Sequence, residues 1–218
     1  MHEDVVEKKL RDALVQMENR IRSYLDWCKS PLEKLVVLEF LRLPGAEITW
    51  CRDRGDSDSI RACSGGFLDS TDGLPILKTD MGACFPAGLV WLESWARRRF
   101  FHDQRESKCC RLVPQYDAKD QESGEVIGKV DLAVFWPRAD GEGYLKIAVL
   151  CDPNGGGGKE TSDNPRSTGQ HKKLQSNGWI VTRFNAAQIS GNPARVVDEI
   201  RNAATDRNTQ IMKERRTP

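Results

Sequence analysis

Apolar residues recur at three- and four-residue steps near the start of the chain: Val6, Leu10, Leu14, Met17, Ile21, Tyr24, Leu25 and Cys28. This is the period of a helix with one apolar face. No Pro or Gly interrupts residues 3–28, so the spacing predicts one long helix that packs on the body of the protein or on a second copy of itself. Ser30-Pro31-Leu32-Glu33 then opens a second helix, with serine as N-cap, proline in the first turn and a glutamate placed for a capping box. Its stripe is Leu32, Leu35, Val36, Phe40 and Leu43, widened by Val37, Leu38 and Leu41; Glu39 also falls in the stripe. Pro44-Gly45 ends it. Residues 46–51, AEITWC, alternate like a strand, RDRGDSDS reads as a turn tip, and IRACSGGF as a return strand. Gly, Ser, Asp and Pro are scattered over residues 65–88. Residues 89–101 have helical spacing, carry Trp91, Trp95 and Phe100, and include Arg97-Arg98-Arg99.

The pattern changes at Cys110. Three apolar runs follow one another, CRLVPQYD, EVIGKVDLAVFW and YLKIAVLCDP, each short enough for a strand. A loop with four consecutive glycines, Gly155 to Gly158, leads to a polar helix from Pro165 to Asn177, which Asn177-Gly178 ends. WIVTRF is a fourth strand, and Asn192-Pro193 caps a last helix. The expected organisation is an N-terminal helix (1–29), an α/β domain (30–204) interrupted by an insertion (46–108), and a charged, frayed tail (205–218).

Composition narrows this only a little. Hydrophobic content of 39% and charged content of 30% in 218 residues suit a globular domain. The net charge of +1 neither requires nor excludes a nucleic-acid partner, because a local basic patch can hide in a balanced total. No apolar run approaches the ~20 residues that span a bilayer, so no membrane partner is expected. The charged N-terminus does not read as a signal peptide, and a cytoplasmic location is expected. The seven cysteines show no CxxC spacing, which favours buried thiols over a zinc site.

Candidate chemistry lies in the strands. Asp131 interrupts the second run and Asp152 ends the third. Strict alternation puts Asp131 on one face with Lys129 and Ala133, and Asp152 on one face with Lys146, Ala148 and Leu150. If these runs form a hairpin, both carboxylates can point to one side, where they would call for a cation or a shared proton. Asp131 is hard to explain structurally, whereas Asp152 also reads as a turn initiator and Glu33 as a cap of its own helix. The glycine loop fails as a nucleotide-phosphate loop, because Pro153 and Glu160 stand where that pattern needs Gly and Ser or Thr.

The order helix, three strands, helix, strand resembles the restriction-endonuclease-like PD-(D/E)xK superfamily, with a texture closest to the small very-short-patch-repair-like nucleases. The matching pieces are SPLEKL, PQY, GKVDLAVF, KIAVLCDP and LQSNGWIVTRFNAAQI. They cover Ser30 to Leu43 and Cys110 to about Ile200. The resemblance implies an αβββαβ core and a Mg²⁺- or Mn²⁺-dependent endonuclease acting on DNA, or a nuclease subunit of a defence, repair or mobile-element system. It implies Asp131 and Asp152 as metal ligands, with Glu33 and Gln115 assisting at the catalytic centre. Arg166, His171, Lys172 and Lys159 are then expected to meet nucleic-acid phosphates. Leu150 departs from the pattern, standing where those relatives carry a glutamate, and Asp152 stands where many carry a lysine. Lys129, Lys146 or Lys159 could supply the missing lysine. The departure keeps a second expectation open: a nuclease-fold module without catalysis that binds nucleic acid, or a protein partner or second copy through the N-terminal helix.

Overall fold

The computed structural model describes residues 2–43, 46–51, 74–79, 110–120, 123–141, 143–153 and 165–215. It is a mixed α/β structure. Helix α1 (His2–Leu25) precedes α2 (Pro31–Leu41), then come β1 (Glu47–Cys51), β2 (Leu74–Thr79), β3 (Cys110–Lys119), β4 (Val126–Pro137) and β5 (Tyr144–Asp152). Helix α3 (Pro165–Ser176), β6 (Trp179–Asn185), α4 (Ala186–Gly191) and α5 (Pro193–Glu214) complete the chain.

The six strands form one sheet in sequence order. β1 to β5 pair antiparallel with their neighbours, while β6 pairs parallel to β5. That parallel pairing follows from the helical connection, since a crossover through α3 returns the chain in the direction of β5. β1 and β2 extend the main sheet, so these parts of the 46–108 stretch belong to the same layer as β3–β6. β1 was expected; β2 was not, because Leu74–Thr79 sits in a Gly- and Pro-scattered stretch. The expected return strand IRACSGGF and helix 89–101 lie outside the described residues.

Two apolar layers sandwich the sheet. Leu112, Leu132, Val134, Ile147, Val149 and Phe184 face α2 (Val36, Val37, Phe40), α4 (Ile189), α5 (Val196, Val197, Ile200) and the end of α1 (Tyr24). Val113, Tyr116, Val130, Ala133, Phe135, Ala148 and Trp179 face the other way, with Leu174 of α3. The tail expected to fray from residue 205 is instead the last part of α5, whose Ala204 and Ile211 are buried in the first layer. A helical stripe was present there, but its charged intervening residues masked it. Leu38 is exposed, and Glu39, which fell within the apolar stripe of α2, stays largely covered, its side chain 18% exposed, and pairs with Arg42 at 3.1 Å.

Candidate functional site

The site forms where β3 and β4 both break their alternation. Along β3, Leu112 belongs to the first layer and Val113 to the second; alternation would return Tyr116 to the first, yet Tyr116 and Ala118 lie in the second. The switch occurs at Gln115, which has φ 51°. Among the described residues it is the one non-glycine with a positive φ. Left-handed backbone costs an L-residue roughly 1–2 kcal/mol. β4 switches at the same level: Leu132 lies in the first layer, whereas Val130 lies in the second. The flanking pairs Pro114↔Leu132 and Tyr116↔Val130 put Gln115 opposite Asp131.

A third strand opens there. The β4–β5 ladder ends at Leu132↔Val149. Beyond it, the backbone N–H of Cys151 donates to Asp131 Oδ2 at 2.8 Å, so a side-chain carboxylate takes the place of a ladder carbonyl.

The fourth element is the start of α2. Glu33 is 3% exposed, a degree of burial that a carboxylate tolerates only with strong partners. Its Oε1 accepts from Ser30 Oγ at 2.9 Å, and its Oε2 accepts from the Lys29 N–H at 3.0 Å and from Gln115 Nε2 at 2.9 Å. The Glu33 N–H in turn donates to Ser30 Oγ at 3.2 Å. Glu33 therefore both orders its own helix start and ties that helix to the strained residue of β3. The two readings of Glu33 in the sequence, as cap and as site residue, describe one side chain.

Asp131 sits half-buried beside this group. Burial raises its carboxyl above the ordinary carboxylate range, and the Cys151 N–H partly offsets this. The charge of Glu33 raises it further, while Lys29 and Arg183 lower it. Raised carboxyls next to a second acid and flanked by cations are concentrated at functional sites. Cys151 shares the surroundings: burial, then Asp131, Glu33 and Cys28, push its thiol far up.

Asp152 is placed differently from the expectation. β5 keeps strict alternation, with Ile147, Val149 and Cys151 against the first layer and Ala148 and Leu150 against the second. Asp152 therefore follows Leu150 to the face away from α2, paired in register with Asn185. The alternation argument that joined Asp131 to Asp152 assumed a regular β4, and β4 switches faces at Asp131. The acid acting on Asp131 is Glu33.

Two of the expected phosphate contacts, His171 and Lys172, lie on α3. Gln170 Nε2 donates to Lys129 O at 2.8 Å, which seats α3 beside the start of β4. The neighbouring His171 is half-buried and Lys172 exposed, on the layer opposite Glu33. Lys159 and the side chain of Arg166 lie outside the described residues. Of the lysines considered for the missing position, Lys129 lies 4.0 Å from Asp117. Lys146 pairs with Phe135, four residues along β4 from Asp131, a separation of about 13 Å. Its ammonium lies over the Trp179 ring, 5.6 Å from the centroid.

Two residues of the site had no signal in the sequence. Lys29 comes close to Asp131 because the capped turn before α2 folds against the sheet. Arg183 comes close because parallel pairing sets it in register with Leu150. Among the described residues, no group of three or more His, Cys, Asp and Glu could hold a metal ion. The donors that are present, two carboxylates and an amide, are hard oxygen ligands of the kind Mg²⁺ and Mn²⁺ prefer, and Mg²⁺ commonly uses one or two carboxylates and keeps its waters. Comparison of the chain with protein-family models, curated proteins and solved structures returns no significant match.

Proposed function

We propose that the chain is a metal-dependent nuclease of the restriction-endonuclease-like type, acting on phosphodiester bonds of DNA from the centre formed by Asp131, Glu33 and Gln115. The observation that supports this most is the strained Gln115, held at φ 51° opposite Asp131 and bonded to a buried glutamate. Strain of this kind persists only where the surrounding structure over-determines it, and it concentrates at active sites. The order α2, β3, β4, β5, α3, β6 also matches the αβββαβ order of that fold class, with β1 and β2 added between its first helix and first strand.

In this reading Asp131 and Glu33 hold the divalent ion, Asp131 through the oxygen not engaged by Cys151. When bound, the ion neutralises phosphate charge and lowers the pKa of water. Gln115 fixes the orientation of Glu33. Lys29 and Arg183 hold the phosphodiester by charge and offset the repulsion between the two acids. They take the place of the lysine that the resemblance leads one to expect where Asp152 stands. Asp152, which follows Leu150, has no ligand role in this reading.

A second reading is a nuclease-fold module that binds nucleic acid without cleaving it. Two observations favour it: Leu150 stands in the row between Asp131 and Arg183, and both oxygens of Glu33 already accept hydrogen bonds.

One experiment separates the readings. Purified protein is titrated with Mn²⁺ by calorimetry and incubated with plasmid, single-stranded DNA and RNA in Mg²⁺ or Mn²⁺. Ion binding and cleavage that are both lost in Asp131→Ala support hydrolysis. DNA binding without cleavage under either ion assigns the module reading. Cleavage that survives Asp131→Ala refutes the centre described above.

A further inference from the structure

Helix α1 leaves an apolar stripe in water. Val6, Leu10, Leu14 and Met17 are 58–66% exposed; Val5 and Val15, 53% and 50% exposed, lie off this face. The first four repeat at helical spacing, and the same stripe continues through Ile21 to Tyr24. At that end it is seated: Tyr24 is fully buried and its hydroxyl donates to Leu112 O at 2.7 Å. The face that docks α1 on the sheet therefore runs on uncovered towards the N-terminus, over about 17 Å from Val6 to Met17.

A helix in water draws little stability from propensity and most of it from burying such a face. The four side chains of the stripe offer on the order of 350 Å² of apolar surface per helix, by the transfer energies of such groups. Two copies together bury on the order of 700 Å², the size of a weak, concentration-dependent contact.

The charges beside the stripe select the partner. Glu7 pairs with Arg11 at 3.0 Å and Glu18 with Arg22 at 2.6 Å, all four side chains being well exposed. Along this flank the order is acid, base, acid, base. Read from the other end it is base, acid, base, acid. A second copy laid antiparallel brings Glu7 opposite Arg22 and Arg11 opposite Glu18, with the midpoint between Leu14 and Val15. The apolar steps tolerate the same reversal: Val6, Leu10, Leu14, Met17 and Ile21 are spaced 4, 4, 3 and 4, and in reverse 4, 3, 4 and 4.

We propose that the chain forms a two-fold symmetric dimer in which α1 of one copy packs antiparallel on α1 of the other. The interface is isologous, each helix supplying the same apolar stripe and the same charged flank. The small crossing angle of helix pairs with this spacing suits the contact.

Sedimentation of the full chain tests this, at about 100 µM, well above the dissociation constants of specific dimers. The wild type sediments as a dimer. Leu10→Asp/Leu14→Asp sediments as a monomer, with the sheet signal in circular dichroism retained. Glu7→Arg weakens the dimer about tenfold, because symmetry breaks two contacts at once, and the double variant Glu7→Arg/Arg22→Glu recovers most of the loss. A wild type that is monomeric overturns the proposal, including a monomer whose α1 adsorbs to anionic vesicles instead. A dimer indifferent to the Leu10 and Leu14 substitutions overturns it too, as does a failure of the double charge exchange to restore association.

Discussion

Substituting Gln115 with glycine and with alanine measures the strain at the site directly. Gln115 combines a left-handed φ of 51° with a side-chain hydrogen bond of 2.9 Å to the Glu33 carboxylate. Both variants lose that bond, which is charge-assisted and contributes about 1.5–3 kcal/mol. Alanine keeps the unfavourable backbone conformation that glutamine already carries, so Gln115→Ala is expected to cost about 2 kcal/mol, the value of the bond alone. Glycine relieves the roughly 1–2 kcal/mol of left-handed strain. The greater freedom of its unfolded chain takes back roughly 0.5–1 kcal/mol. Gln115→Gly is thus expected to be more stable than Gln115→Ala by about 0.5–1 kcal/mol, although both fall below wild type. Urea unfolding reads this as midpoints ordered wild type, glycine, alanine, with the alanine variant lower than wild type by about 1 M for a slope near 2 kcal/mol/M. An alanine variant as stable as the glycine variant, or more so, refutes a left-handed Gln115 and with it the main support for the site.

Glu33→Ala removes the acceptor of three hydrogen bonds in a buried setting and is expected to cost about 3–5 kcal/mol in denaturant unfolding, with Glu33→Gln costing clearly less. Asp131→Asn gives a pH-dependent effect of opposite sign. The folded carboxyl titrates above its unfolded value, so wild-type stability falls as pH rises from the unfolded value through the folded one. The amide escapes this loss: thermal melts should coincide with wild type near pH 3 and exceed it at pH 7. Equal melting temperatures at pH 7 would count against the raised carboxyl. The Cys28 thiol, pushed up to about 12 by burial and then by Glu33, should resist iodoacetamide at pH 8 and react once urea unfolds the chain, as mass spectrometry of the labelled peptide would show. Gly128→Ala sets a Cβ 2.7 Å from Gln170 Nε2 and displaces the amide that seats α3 on Lys129. A loss of about 1 kcal/mol is expected in urea unfolding.

The alternation and the helical periods of this chain determine its elements and their order, because side-chain direction in a regular strand or helix depends only on local spacing. From them come the strands after Cys110, the polar crossover helix, the caps at Ser30 and Asn192, and the suspicion attached to Asp131. Tertiary structure decided everything that depends on irregularity or on distant contacts. No local rule announces that Gln115 adopts a left-handed backbone, and that one residue reverses the faces of β3 beyond it. β4 switches faces beside it, and the acid that acts on Asp131 is Glu33. Glu33 looks like an ordinary cap until the sheet closes over it, and Lys29 and Arg183 reach the site only through the docking of α2 and the parallel register of β6. The same holds for α1: its stripe was legible from the spacing, but only the docked position of Tyr24 shows where the stripe's intramolecular partner ends, because coverage depends on how far the body of the protein extends along the helix.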